Sequence, residues 1–112
     1  VKGVTEIDAA TTQAMLDAGA VLVDVRAALN FERGHIPGSV NLSMPVALSR
    51  DSLGKIAGRD DVVIFTRLSN YCPYSAYASA KAVQWGYTRV YRFSGGFPTW
   101  QAAGRPVAVG DG

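Results

Sequence analysis

The sequence predicts an α/β domain built on an open, mostly parallel sheet with helices on both faces. Short runs of β-branched and aromatic residues are nearly continuous in apolar side chains, which is typical of strands buried on both faces. These runs alternate with segments of helical pattern through short connections, as strand–helix–strand units do. The length of 112 residues, with 48% hydrophobic and 18% charged residues, suits a single domain, which we expect to span residues 1–112.

The predicted elements follow one another along the chain. The strand runs are Val21–Val23, Val40–Leu42, Val62–Phe65 and Arg89–Tyr91. The helical segments are one capped by Asp8 and ended by Gly19, Ala28–Arg33, an irregular stretch at 45–57, one from Pro73 or Tyr74 to Trp85, and Phe97–Ala103. In such sheets, sites form where a strand ends and the chain continues into a loop and a helix. Two connections fit this rule, Val23–Arg26 and the longer Phe65–Ser75.

Composition argues against several classes of function. The net charge is +2 and the basic residues are scattered, so there is no surface pattern for nucleic acid. The longest apolar run, Ala18–Val25, is interrupted by Asp24 and is too short to span a membrane. One cysteine can form neither an internal disulfide nor a thiolate metal site, so we predict no metal and no cofactor. Because the sequence begins with Val1, a processed N-terminus is compatible with it, and we expect a soluble protein of the cytoplasm or the periplasm.

The only cysteine, Cys72, lies on the Phe65–Ser75 connection. Pro73 suits the first position of the following helix, which makes Cys72 a candidate N-cap. The free N–H groups and the dipole at a helix start favour an anion, so a thiol there loses its proton more easily than a free thiol. A free cysteine is also among the most buried residue types, and an inert, packed Cys72 is an equally open alternative.

Three other polar residues are predicted to support the structure. Asp24 and Arg26 flank the end of a buried strand, where an acid and a base more often pair than catalyse. His35 lies in the turn-rich segment Gly34–Gly38 with no second histidine or cysteine nearby. We therefore expect His35 to fix the loop by a hydrogen bond rather than to bind a metal.

Two segments together resemble the signatures of the rhodanese-like domain. The first runs from Val21 to Arg26 and continues from Phe31 to Leu42; the second runs from Gly86 to Tyr91 and continues from Ser94 to Trp100. The resemblance implies a five-stranded parallel sheet and a nucleophilic cysteine that accepts sulfane sulfur as a persulfide within a cradle of backbone N–H groups. It also implies a small sulfur donor, thiosulfate or a persulfide, and a thiol acceptor. The residues placed around Cys72 in this cradle are Thr66, Arg67, Leu68, Ser69, Asn70, Tyr71, Pro73, Tyr74 and Ser75.

The sequence departs from the family pattern on this loop. Thr66 follows the strand where the family has its cysteine, and Tyr74 stands where an arginine is expected before the closing Ser75. Residues 72–75 instead resemble a Cys-Pro-Arg-Ser sequence found in a subgroup with an extended loop.

Three interpretations follow from this departure. In the leading one, Cys72 carries sulfur, with Arg67 supplying positive charge, and the chain is a thiosulfate sulfurtransferase-like enzyme. In the second, the domain is an inactive binding or regulatory module with a protein partner. In the third, the loop binds an anion without covalent chemistry. Phosphatase chemistry is disfavoured, because it needs a cysteine at the start of the loop and an arginine near its end. This sequence has Thr66 and Tyr74 at those positions.

Overall fold

The computed structural model describes residues 3–44, 47–66 and 74–110, with Tyr74 and Ser75 described by their backbone alone. Within these residues, five strands form one sheet in the order β1-β5-β4-β2-β3, and every neighbouring pair is parallel. The strands are β1 (Val4–Glu6), β2 (Val21–Asp24), β3 (Val40–Asn41), β4 (Val62–Thr66) and β5 (Arg89–Phe93). The predicted fold class is confirmed.

In the described part of the chain, each of the five strands is followed by a helix. They are α1 (Ala9–Asp17), α2 (Ala28–Arg33), α3 (Arg50–Gly54), α4 (Tyr74–Gln84) and α5 (Gly96–Ala102). None of the helices in the described part of the chain is long and apolar enough to cross a membrane.

Alternate residues of the central strands face two separate core layers. Val23, Val63 and Phe65 pack in one layer with residues of α3 and α4, among them Leu53 and Ala78. The other layer contains Leu22, Ile64 and Phe93 with Trp100 of α5, and α1 packs against it through Leu16. Because strand side chains alternate with a period of two, this division places helices on both faces of the sheet, as predicted.

The predicted first helix is confirmed together with its signals. Asp8 is the N-cap and accepts a hydrogen bond of 2.8 Å from the Thr11 N–H. Gly19 follows the helix with a φ of 98°, a conformation that glycine adopts without steric cost.

The irregular helix expected at 45–57 is shorter than predicted. α3 begins at Arg50 because Ser49 caps it, with a capping box completed by the Ser52 side chain. A Ser49–Ser52 box fixes the start of a helix locally, so the preceding described residues, Ala47 and Leu48, remain in a turn closed on the Ser43 carbonyl.

The sequence patterns predicted four of the five strands that the described residues form, and β1 was missed. β1 has three residues, of which two are exposed, so it contains no apolar run that would reveal it. It pairs with β5 at one edge of the sheet. Only the resemblance to a five-stranded family implied its presence.

Candidate functional site at the carboxyl edge of the sheet

The two connections predicted to carry a site leave the sheet side by side. Asp24 of β2 is in register with Thr66 of β4, and Thr66 is in register with Phe93 of β5. Because all strands are parallel, their carboxyl ends meet at one edge, which is where open α/β sheets form their sites.

A buried ion pair fixes the exit of β2. Asp24 is 1% exposed and Arg26 is 7% exposed. The Arg26 Nη2 and Nε donate to Asp24 Oδ2 at 2.7 and 3.0 Å, and the Arg26 backbone N–H donates to Oδ1 at 3.0 Å. The same Nη2 donates to the Gly34 carbonyl at 2.7 Å, and the guanidinium lies 4.9 Å from the centre of the Phe97 ring. The predicted pairing is therefore present, and it joins β2 to the segment after α2 and to α5.

Asn41 ties β3 to the same exit, a contact that sequence reasoning missed. Its Nδ2 donates to the carbonyls of Asp24 and Arg26 at 3.0 and 2.9 Å. The Leu42 and Met44 N–H groups donate to the carbonyls of Asp24 and Val25, each at 3.0 Å. The available signal was the place of Asn41 in the motif that carries the family resemblance.

His35 is fully buried and holds the turn after α2. Its ring stacks on Phe31 with centroids 3.7 Å apart and an interplanar angle of 8°. Its Nδ1 lies 2.7 Å from the Phe31 carbonyl, and because a carbonyl only accepts, Nδ1 carries the proton. Its backbone exchanges two hydrogen bonds of 2.9 Å with Ala108. No group of three or more potential metal-binding side chains occurs among the residues that the structure describes.

Thr66 is a strand residue rather than a loop residue, which corrects the predicted start of the connection. It is the last residue of β4 and is 1% exposed. Its Oγ1 donates to the Phe93 carbonyl at 3.3 Å, and its own carbonyl accepts from the Val25 N–H at 3.1 Å. The hydroxyl at the position where the resembled family carries its cysteine is thus bonded within the sheet.

The rest of the predicted cradle lies outside the described residues. This applies to Arg67, Leu68, Ser69, Asn70, Tyr71, Cys72 and Pro73, and to the side chains of Tyr74 and Ser75. The backbone of Tyr74 and Ser75 forms the start of α4. The roles assigned to these residues remain predictions.

A second charged group at this edge was missed by sequence reasoning. Arg92 Nη1 lies 3.5 Å from Glu6 Oε1, and Glu6 Oε2 accepts a 2.8 Å hydrogen bond from the Ser94 N–H. Glu6 ends β1, and Ser94 follows β5, so this group closes the carboxyl edge on the far side of β4 from Asp24.

The protein is an α/β domain with a parallel sheet, and the polar contacts described above lie at the carboxyl edge of that sheet. The family model of the rhodanese-like domain matches residues 8–103. The chain belongs to the rhodanese-like domain family.

Several proteins of similar sequence are named as sulfurtransferases. The chain is 38% identical over 93 residues to a thiosulfate sulfurtransferase GlpE of Pseudomonas savastanoi, covering 80% of each protein. It is 33% identical over 111 residues to a sulfurtransferase of Allochromatium vinosum, covering 97% of this chain and 99% of that one.

Two further comparisons concern a protein named as a transcriptional regulator and a solved structure. The chain is 38% identical over 95 residues to the HTH-type transcriptional regulator Rv0324 of Mycobacterium tuberculosis, covering 84% of this chain but 40% of the regulator. Among solved structures, the BH2092 protein of Bacillus halodurans superimposes with a TM-score of 0.83 at 26% identity, over 96% of this chain and 79% of that chain.

Proposed function

We propose that this domain transfers sulfane sulfur through a persulfide on Cys72. The observation that carries the proposal is the state of Thr66, which is buried and bonded at the position where the family pattern has its cysteine. Cys72 is the single cysteine of the sequence, and it lies on the connection between β4 and α4. It is therefore the one thiol that can carry sulfur in this chain. The sulfurtransferase names of relatives that align over most of their length support the same chemistry.

The proposed reaction has two displacement steps. The Cys72 thiolate attacks the outer sulfur of thiosulfate, a Cys–S–S bond forms, the S–S bond of thiosulfate breaks, and sulfite leaves with the electron pair. An acceptor thiolate then attacks the outer sulfur of the persulfide and departs as a new persulfide, which restores the Cys72 thiolate. Cyanide in the second step gives thiocyanate. No external oxidant or reductant is required, because one sulfur atom moves in each step.

The described residues contribute the frame for this reaction. The Asp24–Arg26 pair and Asn41 fix the β2 exit beside Thr66, and Thr66 fixes the point at which the chain leaves β4. Preorganised edges of this kind let a following loop hold its N–H groups toward one point, where they stabilise an anion. The sulfur anions of both steps are the charges that such a cradle would stabilise.

Turnover of thiosulfate and cyanide to thiocyanate tests the proposal. We expect activity in the unmodified protein and its loss in Cys72→Ser, with far-ultraviolet circular dichroism unchanged. Thr66→Val serves as the matched variant, because it removes the hydroxyl at the family's cysteine position. We expect it to retain activity and to lose about 1 kcal/mol of stability with its hydrogen bond. Activity that survives in Cys72→Ser would contradict the proposal.

A regulatory module is the second candidate. It is favoured by the relative named as a transcriptional regulator, of which this chain matches 40% of the length. Under this alternative, Cys72 would gain no sulfur from thiosulfate, and the protein would show no turnover with any thiol acceptor. The same assay therefore separates the two candidates.

A further inference from the structure

A cavity of about 370 Å³ lies between α2 and β3, at one edge of the sheet. We call it the α2–β3 groove, and its lining residues are Ala28, Phe31, Glu32, Ser39, Val40 and Asn41. The three that belong to α2 stand three and four positions apart, so they share one face of the helix. Phe31 is buried and provides an apolar wall, whereas Ala28 and Glu32 are exposed to solvent. A cavity of this volume is large enough to hold a ligand.

The backbone of Asn41 is unpaired at this edge. Asn41 is in register with Asp24, and the Leu42 N–H donates to the Asp24 carbonyl. Backbone groups of successive strand residues point to opposite sides, so the N–H and C=O of Asn41 point away from β2. Neither group bonds to another residue within the described part of the chain. The open edge is short, because the carbonyl of Ser43, two residues later, accepts from the Ala47 N–H. An unpaired N–H and C=O at a sheet edge is a template for a further extended chain.

Glu32 gives the groove a negative charge. It is the only charged residue among those that line the groove, and its carboxylate forms no ion pair with any residue that the structure describes. The basic neighbour Arg33 does not line the groove, because adjacent residues of a helix point in different directions. A ligand that complements this groove therefore carries a positive charge beside an apolar group.

We propose that the α2–β3 groove binds an extended segment of a partner protein, with an apolar side chain against Phe31 and a lysine or arginine beside Glu32. The main chain of this segment pairs with Asn41, whose N–H and C=O supply two hydrogen bonds, as in other cases of strand addition to a sheet edge. The inference goes beyond the proposed function, because it requires no sulfur transfer.

A second copy of this chain is a less suitable occupant of the groove. In a two-fold contact, both copies contribute the same surface. Pairing β3 with β3 of another copy would therefore bring together two grooves whose lining charge is negative in both, at Glu32. Like charges placed together across an interface are unfavourable, whereas a basic segment neutralises the carboxylate.

Four blocked pentapeptides test the proposal with the full chain. The probe has leucine at the centre, lysine at both ends and threonine between them. Alternate residues of an extended chain share a face, so both lysines lie on the side of the leucine, whichever way the peptide runs. Each of three matched peptides changes one feature: glutamate replaces both lysines, serine replaces the leucine, or a methyl group replaces the hydrogen on the leucine nitrogen.

The amide signals of the ¹⁵N-labelled protein report where each peptide binds. We expect the lysine peptide to cause saturable shifts at Ala28, Glu32 and Asn41. We expect each matched peptide to have a dissociation constant about three- to tenfold higher, since each lacks one charge contact, one apolar contact or one hydrogen bond.

Glu32→Gln and Asp60→Asn are the matched protein variants, because each removes one negative charge. Asp60 is exposed in the turn before β4 and does not line the groove. We expect Glu32→Gln to weaken binding of the lysine peptide about two- to tenfold at low ionic strength, with a smaller difference at high salt. Asp60→Asn should leave the dissociation constant nearly unchanged. Ala28→Gln, which retains a good helix former at an exposed position, should weaken binding of the lysine peptide by narrowing the groove.

Four results would overturn the proposal. The first is the absence of saturable shifts at the groove with millimolar lysine peptide. The second is equal affinity for the lysine and glutamate peptides, or equal effects of Glu32→Gln and Asp60→Asn. The third is binding of leucinamide as tight as that of the pentapeptide, which would assign the groove to a small molecule. The fourth is a dimer in sedimentation without peptide, with concentration-dependent shifts of the same amides, which would assign it to a second copy.

Discussion

Replacing Asp24 by asparagine tests how far the buried ion pair beneath the candidate site stabilises the domain. Asparagine preserves the shape of the side chain and can still accept the Arg26 backbone N–H through its oxygen. Its amide nitrogen, however, donates rather than accepts, so it faces the Arg26 guanidinium donors without a bond. The side chains of Asp24 and Arg26 are only 2% and 5% exposed, and water cannot replace the lost partner.

The expected loss follows from this burial. Removing one partner of a buried ion pair leaves an uncompensated charge and costs about 3–5 kcal/mol. Since domains of this size are stable by about 5–15 kcal/mol, the variant should lose a large fraction of its free energy of unfolding. Denaturation in urea, followed by circular dichroism, measures the loss as a lower midpoint at an unchanged slope.

Two further variants define the origin of this loss. Glu6→Gln breaks an ion pair that is half-exposed, and it should cost less than about 1 kcal/mol. The double variant Asp24→Asn with Arg26→Gln should cost less than the sum of the single variants, because it removes the uncompensated charge. If Asp24→Asn costs no more than Glu6→Gln, the buried pair does not hold the exit of β2, and the reasoning is refuted.

Three other expectations concern stability and pH. Burial raises the pKa of Tyr87, whose hydroxyl donates to the Ala57 carbonyl at 2.7 Å. Since the native state then binds more protons than the unfolded state above about pH 10, stability should fall as pH rises through the folded pKa, and Tyr87→Phe should abolish this fall in alkaline urea titrations. Hydrogen bonds from the side chain and backbone of Thr11 lower the pKa of Asp8. The ionised Asp8 carboxylate therefore stabilises the fold above its unfolded pKa, and this stabilisation is lost as pH falls through the lower folded pKa. Thermal melts of Asp8→Ala should therefore show lower stability at neutral pH and a smaller acid-dependent decrease; identical acid profiles would contradict this. Gly95→Ala places a Cβ 2.9 Å from Thr99 Oγ1 and should lower the free energy of unfolding by about 1–3 kcal/mol. Gly54→Ala, with no atom within 4 Å of the added Cβ, should leave stability unchanged or raise it. Equal denaturation midpoints for the two variants would contradict the packing argument.

The central strands were predictable because their sequence is constrained on both faces. β2 and β4 lie between two helical layers, so nearly every residue must be apolar, and such runs stand out. The edge strand β1 has three residues, two of them exposed, so pairing with β5 rather than composition makes it a strand. The other edge strand, β3, has two partly buried residues and was still predicted from the run Val40–Leu42. The length of α3 depends on the Ser49 cap, a local contact that hydrophobic pattern does not report.

The same reasoning explains which parts of the site were predictable. Asp24 follows two buried apolar residues, Leu22 and Val23, and a carboxylate there requires a nearby cation, which Arg26 supplies two positions later. Glu6 and Arg92 lie on strands from opposite ends of the sequence, and only the β1–β5 register brings them together. The burial of Thr66 likewise depends on its two neighbouring strands.

The most direct test of sulfur transfer by this domain is the mass of the intact protein after incubation with thiosulfate and removal of the excess. We predict the addition of one sulfur atom per chain, located on Cys72 by peptide mapping and removed by cyanide or a thiol. The Cys72→Ser variant should gain no sulfur under the same conditions. An unmodified mass in the native protein, with Cys72 still open to alkylation, would contradict the account and leave a rhodanese-like domain without sulfur transfer from thiosulfate.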